Sequence, residues 1–467
     1  MYTARFTHTR FTALRWWRAL IVVLAMEGLS TTAMAVLDPT SETTRLSVDA
    51  VGVEGNNVSE APALSGNGRF VAFASWASNL VPGDGNGAFD VFVRDRVLGT
   101  ITRVSVSSAG VEGNGPSRFP AISDDGRFVA FESDATNLVP GDANSVWDIF
   151  VHDRQTGTTT RVSFNAASGP NSGGGFAAPL SGDGRFVAFH SAANTLVPGD
   201  TNNESDIFVS DRQTGVITRV SVDSAGAQSN NDSYFPAISA DGRFVTFYST
   251  ATNLVPGDTN NMEDVFVHDR QTGATTRVSV DSAGIQGNSN SRSPALSGTG
   301  RFITFQSVAT NLVPGDGHND WDIFVHDRQT GATTRVSVDS AGLEVNGQSY
   351  NAAISGEGRF VVFRSYANSL VPGDTNAAPD IFVHDRTRGA TTRLSVASGG
   401  VQSNGGVGSG SDAPAISAYM RIVAFQSVKT NLVPGDTNAM SDVFVYKPGV
   451  CVRVFTSPMS GLRAMTS

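Results

Sequence analysis

The pentapeptide Leu-Val-Pro-Gly-Asp begins at Leu80 and again at Leu138, Leu196, Leu254, Leu312, Leu370 and Leu432. The first six copies lie 58 residues apart and the last step is 62. A fixed period of this length constrains the fold more than any other property of the chain. Each unit must be a supersecondary element that cannot bury its apolar surface alone, so units stack and share a core. The repeat overrides the count of about three domains that length alone would suggest.

One unit, Ser117 to Phe164, shows what stacks. "SRFPAIS", "RFVAFES", "DIFVHDR" and "TTTRVSF" are four strand-like runs separated by turn signals. Asp125-Gly126 predicts a two-residue hairpin with both central residues at positive φ, and Tyr419-Met420 breaks that pattern in the seventh copy. The second and third runs are apolar on both faces, so both faces are covered. No helical periodicity appears that could supply the cover. The cover is another copy of the same sheet, and four-stranded sheets packed face to face around an axis make a β-propeller. Pro62, Pro120, Pro236, Pro294 and Pro414 place the first run at the innermost edge, where a missing N–H costs least.

The expected fold is therefore all-β, a seven-bladed propeller over residues 36–449. Seven copies supply the first three strands, but only six are followed by a fourth. The missing strand is expected at residues 43–48, "TTRLSV", which would complete blade seven and close the ring. Residues 450–455, "VCVRVF", are the competing segment, within a C-terminal tail spanning 450–467.

Residues 1–35 read as an export signal: Arg5, Arg10, Arg15 and Arg18, then a short apolar stretch, then Ala33-Met34-Ala35. The apolar stretch is shorter than the ~20 residues that span a bilayer. The expectation is a periplasmic or extracellular protein with no integral membrane segment after cleavage. The whole chain carries −10, and losing residues 1–35 makes the remainder more negative still. That excludes non-specific nucleic-acid binding, which needs clustered positive charge. Cys451 is the single cysteine, so no internal disulfide forms.

Strand parity decides where a ligand would meet the ring. The turns between strands one and two and between three and four are short and share one face. The two-to-three loops and the inter-blade connections are long and share the other. Function concentrates on long loops over a rigid scaffold. On that face the repeat brings Asp84 and Asn86, Asp142 and Asn144, Asp200 and Asn202, Asp258 and Asn260, Asp316 and His318, Asp374 and Asn376, and Asp436 and Asn438. Their spacing resembles the start of a calcium loop, although the bidentate Glu of such a loop is absent. The competing reading is a Pro-Gly turn whose Asp and Asn bond nearby backbone. Trp147 and Trp321 stand in the same loops, as surfaces for a sugar or a protein or as packing onto the next loop.

The pattern "PAISDDGRFVAFES" followed by "DIFVHDRQTGTTTRVS" resembles the WD40-like repeat of TolB-type propellers. The resemblance covers residues 43–446 and implies the fold. It departs from TolB itself in having seven copies and no room for a separate N-terminal α/β domain. Related repeats occur in an oligogalacturonate lyase family. No Gly-x-Ser-x-Gly nucleophile elbow is present, and no catalytic residue is assigned. The reading favours a monomeric, non-enzymatic scaffold binding a protein or polysaccharide partner without a cofactor. A lyase-like carbohydrate-active enzyme and a calcium-stabilised sugar-binding propeller are the alternatives.

Overall fold

The computed structural model describes residues 41–142, 146–165, 174–405 and 411–449. Among these residues every regular element is a strand, and the strands form seven antiparallel sheets. Blade one runs outward from Ser59–Leu64 through Phe70–Ser75 and Asp90–Asp95 to Thr100–Arg103. Its neighbours repeat the order. Blade three is the exception: its innermost strand is reduced to two isolated bridges, Phe176 with His190 and Leu180 with Val187. No helix among the described residues is long and apolar enough to cross a membrane.

The ring closes where the strand count predicts. Glu42–Arg45 pairs antiparallel with Asp442–Lys447 as the outer strand of blade seven, with Thr44 opposite Val445. The ladder is shorter than 43–48: after it, Leu46 N–H donates to the Val443 carbonyl and Val48 bridges to Glu54. The competing segment 450–455 lies outside the described residues.

Each blade places one Phe from its second strand against one from its third, as in Phe73 with Phe92 and Phe131 with Phe150, centroids 6.0 Å apart. These rings are fully buried, and each contributes roughly 1.5–3 kcal/mol. The seven clusters of buried side chains each draw on two adjacent blades, such as Ala72 and Val91 of blade one with Val129 and Phe131 of blade two.

Two rings of inter-blade hydrogen bonds hold the channel wall. On the short-turn side, the N–H of Gly66 donates to Asp124 O at 3.1 Å, and the series continues through Gly182, Ala240, Gly298, Gly356 and Ala418. It returns to Gly66 O at 3.1 Å, a closed collar of seven peptides. On the long-loop side, the N–H that opens each inner strand donates to the residue before the previous blade's third strand. Examples are Ser117 to Phe89 and Ser349 to Trp321, at 2.7 and 2.6 Å.

The collar explains a departure from the predicted hairpin. Only the glycine has positive φ: Gly126 is at 76° while Asp125 is not in the left-handed region. Gly126 N–H closes the turn onto Ser123 O, as in the longer hairpin loop with a left-handed last residue. The extra residue, Asp124, gives its peptide to the collar. Met420 takes the same conformation at φ 53°, so the seventh copy keeps the turn without glycine. At Gly126 a Cβ would also lie 2.1 Å from the Phe70 ring of the preceding blade.

Candidate ligand-binding face

The aspartates of the repeated pentapeptide are drawn into ion pairs with arginines of the outer strands. Asp142 lies 2.9 Å from Arg161, Asp316 3.2 Å from Arg335, Asp374 3.2 Å from Arg393 and Asp84 3.6 Å from Arg103. Asp200 and Asp258 are each 3.4 Å from Arg219 and Arg277, and Asp436 is 3.8 Å from Arg45. The same guanidinium reaches the first residue of strand three, as Arg103 reaches Asp90 at 3.3 Å. Asp90 is fully buried and also accepts from Ser105 Oγ. Burial pushes Asp90, Asp322 and Asp442 up to about 6.

The asparagines tie the two long loops together. Asn86 Nδ2 donates to Gly113 O, Asn202 to Ser229 O, Asn260 to Gly287 O, Asn376 to Ser403 O and Asn438 to Gly55 O, at 2.7–3.1 Å. Asn144 lies outside the described residues. His318 is half exposed and sets Nδ1 3.0 Å from Glu344. Among the described residues three of these corners are acid triads that could ligate a cation: Glu54, Asp436 and Asp442; Asp84, Asp90 and Glu112; Asp316, Asp322 and Glu344. Each already holds a guanidinium Nη1 among its carboxylates. In blades three, four and six a glutamine replaces the glutamate, and Gln228 Nε2 donates to Asp200 at 3.0 Å.

The opposite face is equally regular. Arg127 forms a fork with Asp153 at 2.8 and 2.7 Å, and the pattern repeats from Arg69 with Asp95 to Arg359 with Asp385. The forks hold Asp95 and Asp211 at about 2. The histidines of the third strands are buried, and His152, His268, His326 and His384 each pair with a threonine of the same blade at 2.9 Å.

Against this regularity one position stands out. At the long-loop end of the two innermost strands, the residues that face each other differ in every blade. The pairs are Glu60 with Ala74, Arg118 with Glu132, Phe176 with His190, Tyr234 with Tyr248, Arg292 with Gln306, Tyr350 with Arg364, and Asp412 with Gln426. Next to each pair the inner strand bulges through a residue at φ 47–54°: Ala61, Phe119, Ala177, Phe235, Ser293, Asn351 and Ala413. Left-handed non-glycine residues are uncommon, and bulges re-aim side chains beside functional sites. Phe119 and Phe235 are each about half exposed as a result.

Sequence reasoning placed Trp147 and Trp321 on this face but missed the pairs as a set. Aligning the seven copies on their repeated Leu-Val-Pro-Gly-Asp would have shown them. Ala121 lines the channel, and Ala63 at the same register of blade one is half-buried and packs against the core shared by blades one and two.

The bulge residues and the inner-strand prolines line an apolar well of about 610 Å³ at the channel mouth, with Phe119, Phe176 and Phe235 in its wall, and of the paired residues Glu132, Phe176 and His190 reach it. Around blades three and four the aromatic residues are continuous. His190 stacks on Phe176 at 5.6 Å and meets Tyr234 edge-on at 5.3 Å, and Phe235 stacks on Tyr248 at 6.0 Å. Two buried titratable groups border the well. Glu132 accepts from Ala177 N–H at 2.6 Å, and burial pushes its carboxyl up to about 7. Burial lowers His190 to about 4, and its Nδ1 has no hydrogen-bond partner.

Trp321 reaches this rim, 6.4 Å from Tyr350 and beneath the Arg292 guanidinium. Trp147 lies at the equivalent place in blade two, its carbonyl accepting from Gly175 N–H.

No family model and no curated protein matches the chain. Solved structures do. An oligogalacturonate lyase in complex with manganese is 13% identical, with a TM-score of 0.53 covering 87% of this chain and 93% of that one. The β-propeller domain of the Trilobed protease from Pyrococcus furiosus is 11% identical at TM-score 0.51, covering 84% and 93%. TolB from Acinetobacter baumannii is 17% identical at TM-score 0.36, covering 59% and 53%. Together with the seven blades, the first two likenesses define the class: a β-propeller. The Pyrococcus domain is described as having an open velcro topology; here an N-terminal strand closes the ring.

Proposed function

We propose that this protein is a non-enzymatic binding propeller that engages a protein or an envelope or extracellular polymer through its long-loop face, with the apolar well at the centre. Export and a monomeric state belong to the same reading. The observation that carries it is the set of seven unlike pairs. At the buried Phe pairs and the Asp–Arg corners the seven blades keep the same residues for packing and ion pairing, so residues that differ in every blade at one register are freed from that duty. They flank the bulges whose residues line the mouth, where Phe119, Phe176 and Phe235 present half-exposed aromatic rings of the kind that anchor interfaces.

The test compares two variants with the wild type in binding to envelope and extracellular-polymer fractions. Phe119→Ser with Phe235→Ser alters the rim; Arg127→Gln alters the short-turn face. Binding lost in the first and kept in the second supports the proposal. Equal binding by both, or binding lost only in Arg127→Gln, overturns it.

A lyase-like activity is the second reading. It is favoured by Glu132, whose carboxyl stands in the range of a general acid or base at neutral pH. Appearance of unsaturated product from uronate oligosaccharides, abolished in Glu132→Gln, would establish it.

A further inference from the structure

Between blades five and seven, the departures from the repeat gather around a second cavity on the same face, about 710 Å³. Its walls are Tyr350 and Tyr366, 6.3 Å apart and perpendicular at 87°. Tyr366 is half exposed, and Trp321 backs Tyr350. Asp320, Gln348, Asn351 and Arg364 line the cavity beside the rings. The equivalents of Asp320 in the other blades are Ala88, Val146, Glu204, Met262, Ala378 and Met440, and no other blade has an Asn at the bulge position.

The polar groups are held in place. Asp320 accepts from Gly347 N–H at 3.2 Å. Gly347 is at φ 118°, and a Cβ there would lie 2.8 Å from Ala367 Cα, so the chain can pass only as glycine. Arg364 pairs with Asp412 at 3.0 Å, bonds the Tyr366 hydroxyl and lies 4.8 Å over its ring. Asn351 Nδ2 donates to the other Asp412 oxygen at 3.0 Å. Arg364 Nε is buried without a partner.

We infer that this cavity binds a neutral hexopyranose unit of an oligosaccharide or polysaccharide. A pyranose ring has an apolar C–H face and a rim of hydroxyls that both donate and accept. The cavity is lined by two aromatic rings set at a right angle and, beside them, a carboxylate, two amides and a guanidinium. A wholly apolar ligand would strand those groups without partners. An added peptide strand would find the bulge N–H already taken, because Asn351 N–H donates to Gln306.

Charge selects the neutral sugar. Arg364 is committed to Asp412, and Asp320 adds a second carboxylate, so the local balance is negative on a chain of net −10. A uronate would meet repulsion there. This distinguishes the cavity from a site for oligogalacturonate, the ligand class of the lyase it resembles in fold.

The inference rests on the binding-face reading, and the experiment separates their failures. The purified full chain is titrated calorimetrically with neutral hexose and N-acetylhexosamine oligosaccharides and with uronate oligosaccharides of matched length. At least one neutral oligosaccharide is expected to bind, at least tenfold more tightly than its uronate counterpart. Tyr366→Ala is expected to weaken that binding tenfold or more with an unchanged Tm, while Tyr248→Ala, at the other aromatic cluster, leaves it intact. Should Tyr366→Ala fail to fold, Arg364→Gln serves, with a threefold or greater loss expected. Absence of binding to every neutral sugar, equal affinity for uronates, or binding indifferent to Tyr366 and Arg364 overturns the inference. The wider reading survives such a result if partner binding still depends on Phe119 and Phe235.

Discussion

The outer corner and the inner rim of each blade are built on opposite rules. At the corner, Arg103, Asp84 and Asp90 have counterparts in all seven blades and form ion pairs with one another within a blade. At the rim, Tyr234 faces Tyr248 in one blade while Arg118 faces Glu132 in another. The corner sits in a closed, buried environment where an unpaired charge is costly. The rim borders a mouth where neighbours tolerate change. Repetition therefore marks what holds this molecule together, and its failure marks where the molecule meets something else.

Five experiments break or sharpen that contrast. Deleting residues 41–48 removes the blade-seven strand and its Arg45 and Ser47 contacts to Asp442. The loss should exceed about 5 kcal/mol, comparable with the whole stability of a domain, and circular dichroism should show no single cooperative melt. Phe150→Ala, in the repeated core, should cost about 3–5 kcal/mol in denaturant unfolding.

Asp90→Ala leaves Arg103 and Ser105 without their buried acceptor and should cost about 3 kcal/mol by the same measurement. If it costs nothing, the corner is ornamental and the contrast falls.

Glu132→Gln should act in the other direction. The folded carboxyl, at about 7, lies above its ordinary value of 4.5. Between those values the folded state holds the extra proton, so the stability from this group is present below pH 4.5 and falls as pH rises through 7. The amide removes that loss. It can keep the bond to Ala177 N–H, as Gln426 does to Ala61 N–H at 2.7 Å. Tm should rise above pH 7, by an equivalent on the order of 2 kcal/mol, and stay unchanged near pH 4.5. Smallest of all, Phe119→Ala at the exposed rim should change stability by less than about 1 kcal/mol.

Much of the fold was legible because it depends on local pattern repeated seven times. Apolar runs at 128–131 and 149–151 required cover on both faces, and the unpaired "TTRLSV" at 43–48 pointed to closure. The site was less legible. Asp84 and Arg103 are 19 residues apart and on different elements, so their pairing depends on a register that the spacing of the pentapeptide does not contain. The left-handed bulge was hidden for a related reason. Pro120 announces an edge strand, but a residue before proline is ordinarily extended, which gives no warning that Phe119 turns outward. The hairpin at Asp125-Gly126 was misjudged because a two-residue turn leaves no peptide for the collar.

The collar has an electrostatic consequence. Each peptide carries a dipole of about 3.5 D. Head to tail along a helix axis such dipoles add, but head to tail around a closed circle they cancel. The short-turn end of the channel therefore has backbone order without a backbone charge to offer, unlike the mouth of a helix. Any attraction there must come from side chains. Of the seven collar residues, Gly66, Asp124, Gly182, Ala240, Gly298, Gly356 and Ala418, only one is ionisable. Asp124 stands at that entrance with Glu357 on the same wall, so the side chains there give it a negative sign, and burial and the nearby Asp125 and Asp183 push the Asp124 carboxyl up.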